Sequence, residues 1–167
     1  HSSPVARLVQ KFGGTSVGDP DRIRDVADYV ARCHRRGDEI VLVVSAMGKE
    51  TDDLLRIASE VSSTRPGREM DMLITAGERK AIALVCMALA DLGVEAESYT
   101  GSQAGFITDT NHTDAKILEV RADRIAAALA AGRVDAAEDA FFDLGDLGDE
   151  RRIAGRRGRL PQDLLQR

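Results

Sequence analysis

Apolar positions along the chain recur with two different periods, and the alternation of the two predicts an α/β fold. Val5 to Val9 carries enough branched and aliphatic side chains for a short strand over about residues 5–10. From Asp19 onward, Ile23, Val26, Ala27, Val30 and Ala31 fall at helical spacing, which predicts a helix over about 20–36. Ile40 to Val44 is a dense run rich in β-branched residues, fitting a strand at about 39–45 that is buried on both faces. Leu54, Leu55, Ile57 and Ala58 give a second helix its apolar side over about 51–62, and a long helix follows over about 68–92. Further strands are expected at about 95–99 and at about 105–108 or 117–120, with a helix over about 121–131. Such alternation implies a mainly parallel sheet with helices on its faces. Ligands of open sheets of this kind gather at the carboxyl ends of the strands.

Two segments fall at that edge. The first strand runs into Lys11-Phe12-Gly13-Gly14-Thr15-Ser16, and the second into Ser45-Ala46-Met47-Gly48-Lys49-Glu50-Thr51-Asp52. The glycine pair either merely turns the chain or lets a ligand approach the backbone where any side chain would obstruct it. A helix N-terminus behind such a turn offers N–H groups and a positive dipole end to a phosphate. Lys11 adds a full positive charge at the same point.

Composition acts mainly by exclusion. A chain of 167 residues is one domain with room for a real core. An aromatic content of 4% without Trp gives little support to base stacking, and a net charge of -5 argues against nucleic-acid or anionic-membrane partners. No apolar run approaches the ~20 residues of a membrane span and no signal-peptide pattern opens the chain, so a cytoplasmic protein is expected. His1-Ser2-Ser3-Pro4 reads as a remnant of protein expression. Cys33 and Cys86 sit in helical apolar patterns without a CxxC or paired histidines, which points to buried free thiols and no metal site. His34 and His112 read as solvated surface histidines.

Two more blocks complete a set: Glu69-Met70-Asp71-Met72-Leu73-Ile74-Thr75-Ala76-Gly77-Glu78-Arg79, and Gly101-Ser102-Gln103-Ala104-Gly105. In this order the four blocks resemble the catalytic domain of aspartate kinases, members of the amino-acid kinase superfamily, over roughly residues 6–134. The resemblance implies a three-layer αβα fold, amino-acid-kinase-like and incomplete at its C-terminal, nucleotide-binding half. It implies ATP with Mg2+ as cofactor and L-aspartate as acceptor. Lys11 matches the position of the family's catalytic lysine and would stabilise the transferring phosphoryl group. Gly13 and Gly14, with Ser16 as a hydroxyl donor, would bind the nucleotide phosphates. Glu78 would pair the acceptor's ammonium, while Ser45 and Thr51 would orient its carboxylates. Blander readings stand beside these: Lys11 as a solvated strand-end lysine, Glu78 as an exposed helix glutamate, Ser45 as a strand-terminal cap and Thr51 as a helix N-cap. Gln103 reads as part of a glycine-bounded turn near the site.

After Val134 the character changes. Asp135, Glu138, Asp139, Asp143, Asp146, Asp149 and Glu150 are followed by Arg151, Arg152, Arg156, Arg157 and Arg159. The apolar strand that aspartate kinases carry here is not recognisable, nor is their Gly-Arg-Gly-Gly-Ser-Asp loop or adenine-binding half. The domain plan is therefore a remnant at 1–4, a kinase-like lobe at 5–134 and an acidic-then-basic tail at 135–167. The function expected is phosphotransfer from ATP to L-aspartate, giving 4-phospho-L-aspartate. The alternative is a non-catalytic, truncated kinase-like domain that binds an amino acid or associates with another chain. Either reading allows a homo-oligomer or a completing protein partner, because a missing strand leaves a sheet edge exposed.

Overall fold

A computed structural model describes residues 6–112 and 114–138 of the chain. The first strand, β1, spans Arg7–Phe12 and leads through a 3-10 turn, Gly14–Val17, into helix α1, Pro20–Arg35. Strand β2 is Glu39–Val44, followed by α2, Glu50–Val61, and the long α3, Gly67–Asp91. The chain continues through β3, Ala96–Tyr99, β4, Phe106–Thr108, and β5, Ile117–Val120. It then forms α4, Asp123–Ala130, and β6, Val134–Glu138. The expected elements are present, and both candidate strands near 105–120 form, pairing antiparallel as a hairpin. Among the described residues no helix is long and apolar enough to cross a membrane.

The main sheet has the order β1-β2-β6-β3 with every pairing parallel. Its layers follow from side-chain alternation. On one face, Ile40, Leu42 and Val44 of β2 and Val134 and Ala136 of β6 meet Val26 and Val30 of α1 and Ile82, Val85 and Leu89 of α3. The apolar stripe read from the sequence of α1 is the buried one. Each fully buried Val, Leu or Ile in this layer contributes about 1.5–3 kcal/mol. On the other face, Tyr99, Ala104 and Ala137 pack with Phe106 and with Ile125 of α4. These three layers make the αβα sandwich.

Strand β6 corrects one expectation. Its sequence, Val-Asp-Ala-Ala-Glu, lacks the apolar run that announces a buried strand, yet all five residues are buried between β2 and β3. The lobe therefore extends to Glu138, past the expected boundary at Val134, and the place between β2 and β3 is filled. The remainder of the acidic-then-basic segment, residues 139–167, lies outside the described residues. Small side chains at Ala136 and Ala137 let helices close on both faces of the strand, and the backbone ladder to two neighbours satisfies its polar groups.

The two carboxylates of β6 have opposite fates. Glu138 is met by Arg79 of α3, with Nε 2.6 Å from Oε1. Asp135 is fully buried opposite Glu97 of β3, and neither of its oxygens has a hydrogen-bond partner among the described residues. Burial, reinforced by the Glu97 charge and partly offset by Arg133, pushes the Asp135 carboxyl up to about 7. Both cysteines are free as expected, but only Cys33 is buried; Cys86 is half-buried, and its partial burial raises the thiol to about 11.

The raised Asp135 carboxyl has a definite sign in stability. The folded chain holds this proton to a higher pH than the unfolded chain does, so the stabilisation is complete below about pH 4 and lost as pH rises through about 7. Denaturant unfolding of the wild type and of Asp135→Asn at pH 5 and pH 8 measures this. The wild type should lose on the order of 2–3 kcal/mol more than the variant between those two pH values. Parallel pH profiles would show that Asp135 does not carry the effect.

Candidate functional site

The carboxyl ends of the strands come together at one edge, and the loops there are bound to one another. Lys11 is the penultimate residue of β1, on the exposed row with Arg7 and Val9, opposite Val43 in register. Phe12, the next residue, turns inward and is buried in the layer of α1 and α3. Strand β2 ends at Val44, and the Ser45 N–H donates to the Phe12 carbonyl at 3.1 Å, carrying the pairing of the two strands into their loops.

Gly14 and Gly48 join those loops. The Gly48 N–H donates to the Gly14 carbonyl at 2.9 Å. A Cβ on Gly14 would stand 2.9 Å from the Ala46 carbonyl oxygen and 3.2 Å from that of Gly48, so the contact has no room for a side chain. Gly13 is different. Its φ of -74° is open to any residue, and a Cβ there would meet nothing within 4 Å. The fold makes no demand for glycine at position 13; the space in front of it lies open at the site edge.

The turn after the glycines differs from the simple strand–turn–helix expectation. Ser16 is half-buried within the 3-10 turn, its N–H taken by the Gly13 carbonyl at 2.9 Å. Helix α1 begins only at Pro20, and its N-terminus is capped by Asp19, whose side chain accepts from the Arg22 N–H at 2.9 Å. A carboxylate already occupies the positive end of α1, so that end is not the anion cradle the sequence suggested.

Helix α3 brings the third block to the same edge. A Cβ on Gly77 would lie 3.3 Å from Ala46 Cβ, Glu50 Cγ and Leu54 Cδ1, which shows how closely the helix lies on the β2 loop and α2. Glu78 follows immediately and is 7% exposed, which sets aside its reading as an exposed helix glutamate. Lys80 reaches back to Glu50 at 2.6 Å. Thr51 is half-buried in the first turn of α2, but the N-cap of that helix is Lys49 and no side chain caps it, so Thr51 is not its cap. Lys11, Gly13, Gly14, Ser45, Thr51 and Glu78 thus lie on the strand end, the loops and the two helices that frame one edge of the sheet.

The fourth block is turn geometry, as expected. Gln103 Oε1 accepts from the Thr100 N–H at 3.0 Å, and Ala104 N–H closes the turn onto the Thr100 carbonyl. Gly105, at φ 93°, lies so close to the Arg121 backbone that no side chain fits. His112 has a partner that the sequence did not reveal: its Nδ1 is 3.1 Å from Asp71 Oδ2 of α3.

Two residues at the edge escaped the sequence reading. Glu138 was counted with an acidic tail and Arg79 only as the last residue of the third block, yet Glu138 is fully buried and Arg79 is bonded to it. The Gly101 N–H also points at Glu138 Oε2, at 3.4 Å, joining the end of β3 to the end of β6. The available signal was alternation: Val134 and Ala136 at period two behind a helix-ending Gly132. Among the described residues no group of three His, Cys, Asp or Glu is placed to hold a metal ion.

Comparison with known proteins agrees with this geometry. Residues 6–137 match the model of the Amino acid kinase family. The chain is 52% identical over 130 residues to the aspartokinase of Mycobacterium tuberculosis, covering 78% of this chain and 31% of that protein. It is 48% identical over 130 residues to the aspartokinase of Corynebacterium glutamicum, with the same coverage of 78% and 31%. The chain thus spans about a third of the length of the curated relatives it matches. The crystal structure of aspartate kinase from Synechocystis superposes with a TM-score of 0.68 at 43% identity, over 80% of this chain and 21% of that one. Aspartokinase III of E. coli, in complex with aspartate and ADP, superposes with a TM-score of 0.65 over 80% of this chain and 42% of that one; at 20% identity it supports the fold alone. The chain belongs to the amino acid kinase family, within which it corresponds to a partial, N-terminal segment of the aspartokinases.

Proposed function

We propose that this chain carries the acceptor side of an ATP-dependent aspartate kinase, which transfers the γ-phosphoryl group of ATP to the side-chain carboxylate of L-aspartate. The observation that carries the reading is the convergence of three sequence blocks, distant along the chain, at the carboxyl edge of one parallel sheet. Phosphoryl transfer to a carboxylate needs neutralisation of charge, in-line positioning and little covalent help. In the proposal Lys11 follows the charge as it moves from nucleotide to acceptor, since a compact ammonium suits a space walled by glycine. Gly13, Gly14 and Ser16 receive phosphoryl oxygens, and the open space at Gly13 suits a ligand that must touch the backbone. Glu78 holds the acceptor's ammonium, and the Ser45 and Thr51 hydroxyls orient its carboxylates. Magnesium, in this reading, arrives with the nucleotide phosphates and neutralises their charge.

A second reading is a kinase-like domain without catalysis of its own, which binds an amino acid or associates with a further chain. The outer sides of β1 and β3 are the edges of the described sheet and would be the places for such association. Assay of the isolated chain, and of the chain mixed with the remaining part of a relative, separates the two readings.

Lys11→Ala should abolish phosphotransfer to L-aspartate in either assay while shifting unfolding stability by less than about 0.5 kcal/mol. The loss expected from removing a donor at developing charge is about 2.7–4 kcal/mol of barrier, and Lys11→Arg should not restore it. Retention of most of the activity by Lys11→Ala would falsify the proposed role.

The two glycines should separate fold from ligand. Gly14→Ala forces its loop off the Ala46 carbonyl and should lower stability by about 1–3 kcal/mol in denaturant unfolding. Gly13→Ala should leave stability within about 0.5 kcal/mol yet weaken Mg-ATP binding or turnover at least tenfold. Unchanged nucleotide handling in Gly13→Ala would place the phosphates elsewhere.

Titration with L-aspartate should show Glu78→Gln weakening binding more than Thr51→Ala does. A carboxylate facing an ammonium makes a charge-assisted bond about twice as strong as a neutral one. Equal effects, with both variants folded by circular dichroism, would remove Glu78 from the site.

A further inference from the structure

Among the described helices, α2 alone has no buried residue, and the helix it packs against is α3. A helix normally owes its placement to a buried apolar face, and α2 lacks one although its first turn carries Thr51. Two contacts hold that N-terminal end. Gly77 of α3 seats it closely, since a Cβ there would lie 3.3 Å from Glu50 Cγ and from Leu54 Cδ1. Lys80, three residues on and on the same face of α3, reaches Glu50 with Nζ 2.6 Å from Oε1. Glu50 immediately precedes Thr51, and Lys80 follows Glu78 by two residues.

This ion pair is a poor device for stability. The Glu50 side chain is 20% exposed, and its second oxygen, Oε2, is buried without a hydrogen-bond partner among the described residues. A buried acceptor left unsatisfied is unfavourable, and a pair whose lysine is half exposed returns little. The other ion pairs of α2, Arg56 with Asp53 and with Glu60, run along the helix itself and do not bear on its placement. Glu50 and Lys80 instead cross from one element to the next. Their contact fixes the first turn of α2 against the middle of α3, where burial does not.

We propose that Glu50 and Lys80 are positioning residues for the acceptor amino acid: their ion pair clamps α2 onto α3 and so sets the separation of the Thr51 hydroxyl from the Glu78 carboxylate. Neither residue touches the acceptor. The inference rests on the aspartate-kinase reading and deepens it by naming what holds two groups from different helices in one geometry. A small ligand gripped at two points needs them placed to within about 0.5 Å, and a helix without a buried face does not supply that by itself.

The test is a double-mutant cycle read by NMR titration of the full chain with L-aspartate. Lys80→Glu sets like charges face to face and should weaken binding by roughly fivefold, with helix content unchanged by circular dichroism. Because the pair acts through Thr51, the same substitution should cost less than about twofold once Thr51→Ala is in place. If Lys80→Glu does not fold, Lys80→Gln removes the charge without adding repulsion and carries the same comparison. A merely structural pair would lower the melting temperature and leave the affinity of the folded variant unchanged, or weaken it by one factor with and without Thr51→Ala. Either result overturns the inference alone. A wild type that does not bind L-aspartate overturns the aspartate-kinase reading of this chain and the inference with it.

Discussion

The lobe depends on the insertion of β6 between β2 and β3. These two strands are not neighbours along the chain, and without β6 their inner edges would present unpaired backbone donors and acceptors. The pairing converts two separate pieces, β1–β2 with α1 and β3 with the end of α3, into one sheet with a layer on each face. It also brings two carboxylates into the interior, one neutralised by Arg79 and one left to its raised proton affinity. The strand that completes the fold thus also strains it, since a carboxylate buried without a partner is unfavourable in its charged form.

From that sheet the candidate site is assembled by close backbone approach rather than by large side chains. Gly14 admits the β2 loop and Gly77 admits the loop and α2, so that three segments converge where bulkier residues would hold them apart. The convergence explains why the blocks at residues 11–16, 45–52 and 69–79 belong together in space. Gly13, by contrast, has no packing role, since a Cβ there would meet nothing within 4 Å.

Much of this was legible in the sequence because the signals were periodic. The stripe Ile23, Val26, Ala27, Val30, Ala31 and the run Ile40 to Val44 are buried as their spacing implies. Lys11 on an exposed strand row and the glycine-bounded turn at 101–105 were likewise readable. What failed did so for physical reasons. β6 is a five-residue strand whose charges are tolerated by tertiary context, the ion pair with Arg79 above all, and such compensation has no local signature. The cap at Asp19, the pairing of His112 with Asp71 and the burial of Glu78 all depend on where an element lies relative to its neighbours. Thr51 looked like a cap because its residue type favours that position, but α2 starts one residue before it.

Four successive residues of α3 serve four different surroundings: Gly77 lies against the β2 loop and α2, Glu78 is buried, Arg79 meets Glu138, and Lys80 meets Glu50. A helix advances about 100° per residue, so each of these directions is fixed by its neighbour. One consequence concerns length. A single-residue insertion or deletion between Asp71 and Gly77 would rotate the whole quartet away from its partners at once, whereas a substitution at one position disturbs one partner. Over this stretch the number of residues is constrained more tightly than their identity, and tolerated changes of length belong in the connection between α2 and α3.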